Sequence, residues 1–186
     1  MEAFNLQDSC EATVVCNAIN GEAIIPGGYY TIECHDANGN LKWKDDIHNL
    51  VTTVGLNLTC DTILGNSAAG AVYMGLKGTG SASASDTQAS HAGWLEVGGA
   101  NAPTYTGNRQ TPTFGAAVGG VKATSSPVVF AMTGSGTIAG CFINIGGSAT
   151  KDDTTGTLFS AGDFTAGSKT VTSGDTLSVT YQLTAA

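Results

Sequence analysis

From Leu177 the chain alternates without a slip, with Leu177, Val179, Tyr181 and Leu183 against Ser178, Thr180, Gln182 and Thr184. Side chains of a β-strand point to opposite faces with period two, so this stretch predicts a terminal strand with one dry and one wet face. Ser173-Gly174-Asp175 predicts the turn before it, and Lys169-Thr170-Val171-Thr172 is the expected partner strand. Such a strand needs a sheet to join and a second layer to cover its apolar side.

The same grammar recurs upstream. Tyr30, Ile32 and Cys34 alternate, Asn38-Gly39 follows, and Leu41 and Trp43 are placed to pair across. Asn-Gly tolerates the positive φ angles of a two-residue hairpin turn, so Tyr29 to Lys44 predicts a hairpin. The period then changes. Ile47, Leu50, Val51, Val54 and Leu58 recur at spacings of three and four, continuing toward Ile63 and Leu64. This predicts one short helix over about residues 52–64, with Thr52 or Thr53 as N-cap and Gly65 as stop. Gly55 and the β-branched residues weaken it, so packing must hold it. Val72, Met74 and Leu76 return to alternation, and Gly78 to Ala92 is a small-residue loop. Trp94 to Val97, VKATSS, PVVFAMT, TIAGCFINIG and TTGTLFSAGDF are further short strands bounded by Gly, Ser or Pro. Pro127 stands where a missing N–H does least harm. The fold class is therefore mainly β, an antiparallel β-sandwich or jelly-roll-like fold with one short α-helix. Residues 29–186 form a single domain. Residues 1–28 form an N-terminal arm or edge strand, able to lie on its own domain or on a neighbour.

Composition supports this reading. Charged residues are 12 % of the chain and glycines number 26, which suits short strands and turns over helices. Net charge is −8 with only seven Lys plus Arg, scattered, so no basic stripe is available to phosphates. Nucleic-acid or anionic-membrane binding is not expected. The opening MEAFNLQDSC lacks the apolar core of a secretory signal, and no apolar run reaches membrane-span length. Cys10, Cys16, Cys34, Cys60 and Cys141 include no CxxC, so they read as free thiols, with a disulfide formed outside a reducing cell as the alternative.

No catalytic, cofactor-binding or metal-binding residue emerges, and no enzymatic activity is expected. Cys34 and His35 are adjacent in a strand and point to opposite faces. His48 and His91 stand apart from both. Asp36-Ala37-Asn38-Gly39-Asn40 resembles the start of a calcium loop but lacks its closing bidentate Glu. Gly75 to Gly80 and Gly134 to Gly140 lack the G-K-S/T ending or following helix of a phosphate cradle. Asp45-Asp46 and Asp152-Asp153 read as solvated loop charge, and Asn57-Leu58-Thr59 as a chance sequon inside the helix.

Four motifs in order carry a resemblance: Asp36-Ala37-Asn38-Gly39-Asn40; Asn49-Leu50-Val51-Thr52 leading to Gly55-Leu56; Gly75-Leu76-Lys77-Gly78-Thr79-Gly80; and Gly174-Asp175-Thr176-Leu177 running to Val179-Thr180-Tyr181. Together they resemble a family of tailed-bacteriophage virion structural proteins, over about residues 29–186. The resemblance implies a non-enzymatic virion component assembled in the host cytoplasm. The leading expectation is a capsid decoration or cement protein that binds the major capsid protein and neighbouring copies of itself as a homo-oligomer. The alternatives are a tail or receptor-binding accessory protein and, less well supported, a carbohydrate-binding or adhesion module using Trp43, Trp94 and Tyr105 as exposed aromatics.

Overall fold

The computed structural model describes residues 26–66 and 68–185. The opening arm of the sequence reading lies outside them except for Pro26, Gly27 and Gly28, which begin the first strand. Strand β1 (Pro26–His35) pairs antiparallel with β12 (Thr176–Ala185) along all its length, from Pro26 opposite Ala185 to His35 opposite Thr176. This register puts Tyr30 against Tyr181, Ile32 against Val179 and Cys34 against Leu177, all buried. The two tyrosine rings lie 4.7 Å apart. The other residues of β12 are only partly buried, so the sheet has the dry and wet faces that the alternation predicts.

β1 turns into β2 (Leu41–His48), the hairpin expected around Asn38-Gly39. Its loop is one residue longer than the two-residue turn expected. Asp36 and Asn40 close it through a 2.9 Å backbone bond, and Gly39 takes φ +84° as its last residue. The cause is Asp36, whose carboxylate accepts from the Asn38 amide at 2.8 Å and the Asn40 amide at 2.9 Å. The Asn40 side-chain amide, which donates to the same carboxylate at 3.0 Å, and then those backbone bonds hold the Asp36 carboxyl below its usual range.

Beyond β12 the sheet continues with β7 (Val128–Ala131) on residues 176–179 and β6 (Val121–Ala123) on residues 182–184. Both edges of β12 are thereby occupied. Strand β11 (Lys169–Val171), expected as its hairpin partner, instead pairs with β8 (Gly136–Ile138) as a separate two-stranded ribbon. Between β11 and β12, the buried Asp175 carboxylate accepts from the Thr172 amide at 2.8 Å and Thr172 Oγ1 at 3.0 Å, closing a tight turn.

The second sheet runs in the order β3 (Leu50–Val51), β10 (Thr157–Asp163), β9 (Gly140–Ile145), β4 (Val72–Gly80), β5 (Trp94–Val97). Its inner side supplies Met74, Leu76, Val97, Cys141, Ile143 and Phe159 to the core shared with the first sheet. A bulge between Leu158 and Ser160 lets Phe159 reach that core while Ser160 Oγ meets the Tyr30 hydroxyl at 2.9 Å. The outer side is buried too, around Trp94, Phe142, Leu158 and Ala161. Gly75 lies beneath the Phe142 ring, where a Cβ would sit 2.3 Å from a ring carbon.

The one helix among the described residues, α1 (Thr53–Ile63), matches the expected span. Thr52 caps it, accepting from the Gly55 amide at 3.1 Å, and Gly65 follows at φ +77°. Two features differ from the sequence expectation. Ile47, Leu50 and Val51 belong to β2 and β3, because Ile47 is needed opposite Tyr30 in the core. Gly55 is the helix's only buried residue, pressed against the Phe159 carbonyl. The protein is thus mainly β, a sandwich-like fold of antiparallel sheets with a single short helix.

Candidate functional site

Charges in so uncharged a chain have few roles, and their partners show how the loops are held. All seven Lys and Arg of the sequence are engaged within the chain. Arg109 and Glu96 form a buried two-pronged pair, with Arg109 Nε to Glu96 Oε1 at 2.9 Å and Arg109 Nη2 to Glu96 Oε2 at 2.6 Å. Arg109 also donates to the carbonyls of Ser148 (3.0 Å) and Asp153 (2.7 Å), while the Asp152 amide donates to Glu96 Oε2 (3.0 Å). One ion pair therefore ties β5 to the loops around residues 109 and 148–153.

Lys77, on the outer side of β4, is fully buried; it donates to the Asp163 carboxylate and the Gly80 carbonyl and lies 5.6 Å from the Trp94 ring centre. Asp163 in turn accepts from the Ala82 amide at 3.2 Å, drawing the 81–93 loop onto the sheet. Lys151 donates to the Gly98 and Tyr105 carbonyls at 2.8 and 2.7 Å, with its ammonium 3.9 Å from the Tyr105 ring centre. Burial lowers its pKa, against the opposing pull of Glu96 and Asp152. Lys42 pairs with Asp175 at 2.5 Å, Lys169 with Asp45 at 3.0 Å, Lys44 with Glu33 at 3.1 Å, and Lys122 donates to the Gly115 carbonyl at 3.1 Å.

Several sequence-level assignments change here. Asp45 is not solvated loop charge; it lies in β2, 8 % exposed, facing inward toward Lys169. Asp152 and Asp153 are in a loop as expected, yet both have partners, the Ala100 amide at 2.7 Å and the Thr155 amide at 2.8 Å. Trp94 and Tyr105 are buried, at 2 % and 3 % exposed, and Trp43 is half-buried with its Nε1 donating to the Thr170 carbonyl. None of the three presents the open aromatic face that sugar binding needs. Gly78 to Gly80, expected to open the loop, instead complete β4, and TIAGCFINIG divides into β8 and β9.

The histidines occupy separate places: His35 ends β1, His48 ends β2, and His91 stacks on Trp94 at 4.0 Å between ring centres. Cys34 and Cys141 are buried free thiols and Cys60 is exposed and free, while Cys10 and Cys16 lie outside the described residues. Burial, then the neighbouring Asp175, pushes the Cys34 thiol up to about 12, and burial raises Cys141 further. Among the described residues no group of three or more His, Cys, Asp or Glu could hold a metal ion, and no helix is long and apolar enough to cross a membrane.

Among the surface depressions of binding-site size, two adjoin features already described. The first is a polar depression of about 390 Å³ beside the Glu96–Arg109 pair, lined by Gln88, His91, Asn101, Asp152 and Asp153 among others. The second is an apolar groove of about 440 Å³ where α1 crosses the open end of the sandwich. Leu58 and Ile63 of the helix form one wall of it. Val72, Ile143, Ile145 and Phe159 of one sheet, and Tyr181 and Leu183 of the other, form most of the rest, with Phe114 and Lys122 at its side. Thr59 and Ile63 also border a second hollow of about 240 Å³, completed by Pro26, Leu56, Cys60 and Leu64. The helix reaching this surface carries Ile63 at 63 % and Leu64 at 84 % exposed. The spacing of three and four named these residues in advance; that no described residue would cover them was not legible. Searches against family models, curated proteins and solved structures found no match to this chain.

Proposed function

We propose that this protein is a non-enzymatic structural component of a tailed-bacteriophage virion, acting as a capsid decoration or cement protein on the major capsid protein. The observation that carries the reading is the order of four motifs along the chain. Each has a physical duty in the fold: Asp36 shapes the first hairpin, Thr52 caps the helix, Lys77 anchors the 81–93 loop, and Asp175 closes the turn into β12. Two further properties support it. All seven cationic side chains are committed within the chain, leaving a net charge of −8 that repels phosphate and favours a protein partner. The loops are clamped to the sheets by the buried Glu96–Arg109 pair and by the buried Lys77 on a part-exposed Asp163, which suits a part that adds stiffness to a shell.

The test is co-sedimentation of purified protein with expanded capsids, followed by thermal disruption of the shells. Saturable binding and a raised disruption temperature are expected. Binding confined to purified tails, or no binding to either, would overturn the reading.

A further inference from the structure

Among the lysines of the chain, Lys77 alone is buried, with its side chain fully out of solvent. Its ammonium is in direct contact with one oxygen of the Asp163 carboxylate. We propose that these two side chains become joined by an amide bond between Lys77 Nζ and Asp163 Cγ, formed within the folded chain. This goes beyond the capsid reading and does not rest on it.

The second sheet brings the two groups together. Lys77 of β4 stands opposite Gly140 of β9, and Gly140 stands opposite Asp163 of β10. Directly opposed residues share a face, so Lys77 and Asp163 project to the same side, two strands and about 10 Å of backbone apart. Gly140 between them has no side chain, which leaves the lysine free to lie across β9. On this outer side Trp94, Phe142, Leu158 and Ala161 form a buried cluster, and the Trp94 ring centre is 5.6 Å from Nζ. Taking a lysine amine out of water in an apolar setting is one way proteins make it a nucleophile. Reactants held in contact also react as if at concentrations on the order of 10⁵ M or more.

One ammonium proton passes to Asp163 Oδ1 along their hydrogen bond, giving an amine and a carboxylic acid. The nitrogen lone pair then adds to Cγ, and Oδ2 carries the negative charge that develops. The Ala82 amide already donates to Oδ2, at 3.2 Å. The Cγ–Oδ1 bond breaks, and Oδ1 leaves as water with a second proton from the nitrogen. The third proton stays on the new amide, where it keeps a donor for the Gly80 carbonyl. The Asp163 side chain is 40 % exposed while that of Lys77 is 0 % exposed, so the water has a way out from a nucleophile that stays dry. The product replaces a buried ammonium by a neutral group and ties β4 to β10 across a sequence separation of 86 residues. Like a disulfide, such a link constrains the unfolded chain, and it needs no oxidant.

The mass of the purified full-length protein, incubated folded and then denatured in urea, tests this. The wild type is expected to weigh less than its sequence by one water. Trypsin cuts after lysine and arginine but not after an acylated lysine, so the digest should hold residues 45–109 joined to residues 152–169. Fragmentation of that joined peptide should place the link at Lys77 and Asp163. Lys77→Met and Asp163→Ala should each keep the full mass of their own sequence, and the wild-type result decides alone if a variant fails to fold. A wild type of full sequence mass, with Lys77 open to trypsin, overturns the proposal and leaves an ion pair. A water lost from either variant overturns it as well, because the loss then arises elsewhere.

Discussion

Removing the positive half of the Glu96–Arg109 pair should be among the most damaging single changes available in this chain. The side chains are 3 % and 0 % exposed, so solvent does little to screen them. Arg109→Met keeps the length and removes the charge, leaving the Glu96 carboxyl in a buried site with only the Asp152 amide as partner. Breaking one side of a buried pair costs about 3–5 kcal/mol. At this chain length each kcal/mol moves Tm by about 2–4 °C, so the expected loss is roughly 6–20 °C. Glu96→Leu should cost a similar amount, for the opposite reason of an unpaired guanidinium. The double variant Glu96→Leu/Arg109→Met carries no buried charge, and exchanging a pair for apolar residues is often neutral. It still strands the carbonyls of Ser148 and Asp153, at about 1–3 kcal/mol each. The double variant should therefore be no worse than either single, a favourable coupling of at least about 2 kcal/mol in a double-mutant cycle. Urea unfolding of the four proteins measures it. Single losses below about 1 kcal/mol, or additivity of the two, would refute the claim that this pair clamps the loops.

Gly55→Ala should destabilise by about 1–3 kcal/mol, although alanine is normally the better helix residue, because its Cβ would lie 2.3 Å from the Phe159 carbonyl oxygen; a raised Tm would contradict this. Burial pushes the Asp175 carboxyl up, but hydrogen bonds from Lys42 and Thr172 more than offset it and hold the pKa below its ordinary value. Its contribution is present above an unfolded pKa of about 4 and lost as pH falls through the lower folded value, so the urea-midpoint gap between wild type and Asp175→Asn should close on acidification. A gap that stays constant from neutral pH to the acid limit would show that the charge is not responsible. Cys34 and Cys141 should resist iodoacetamide in the folded protein at pH 8, since burial holds both thiols protonated, and rapid native-state labelling of either would contradict the core placement.

The resemblance motifs have a double character that the structure explains. Asp36, Thr52, Gly55, Lys77 and Asp175 are all residues that the fold uses at close range. Such residues are restricted by geometry, and geometry is shared by proteins of one fold whatever their partner.

Local pattern alone determined the strand character of Leu177 to Tyr181, the hairpin near Asn38-Gly39, a threonine cap at residue 52 or 53 and the end of the helix near Gly65. These follow from period, turn chemistry and capping, which act within a few residues of chain. What the tertiary structure decided was partnership. Lys169 to Val171 was legible as a strand, but its pairing with β8 followed from β12 having β1 on one edge and β7 and β6 on the other. Alternation through Val72, Met74 and Leu76 placed Lys77 on the opposite face of β4, yet not that loops would bury that face. Lys77, Asp45, Glu96 and Arg109 look like surface residues in the sequence because an isolated charge belongs in water. Each is buried because a partner 13 or more residues away along the chain meets it there, and only the folded chain brings the two together.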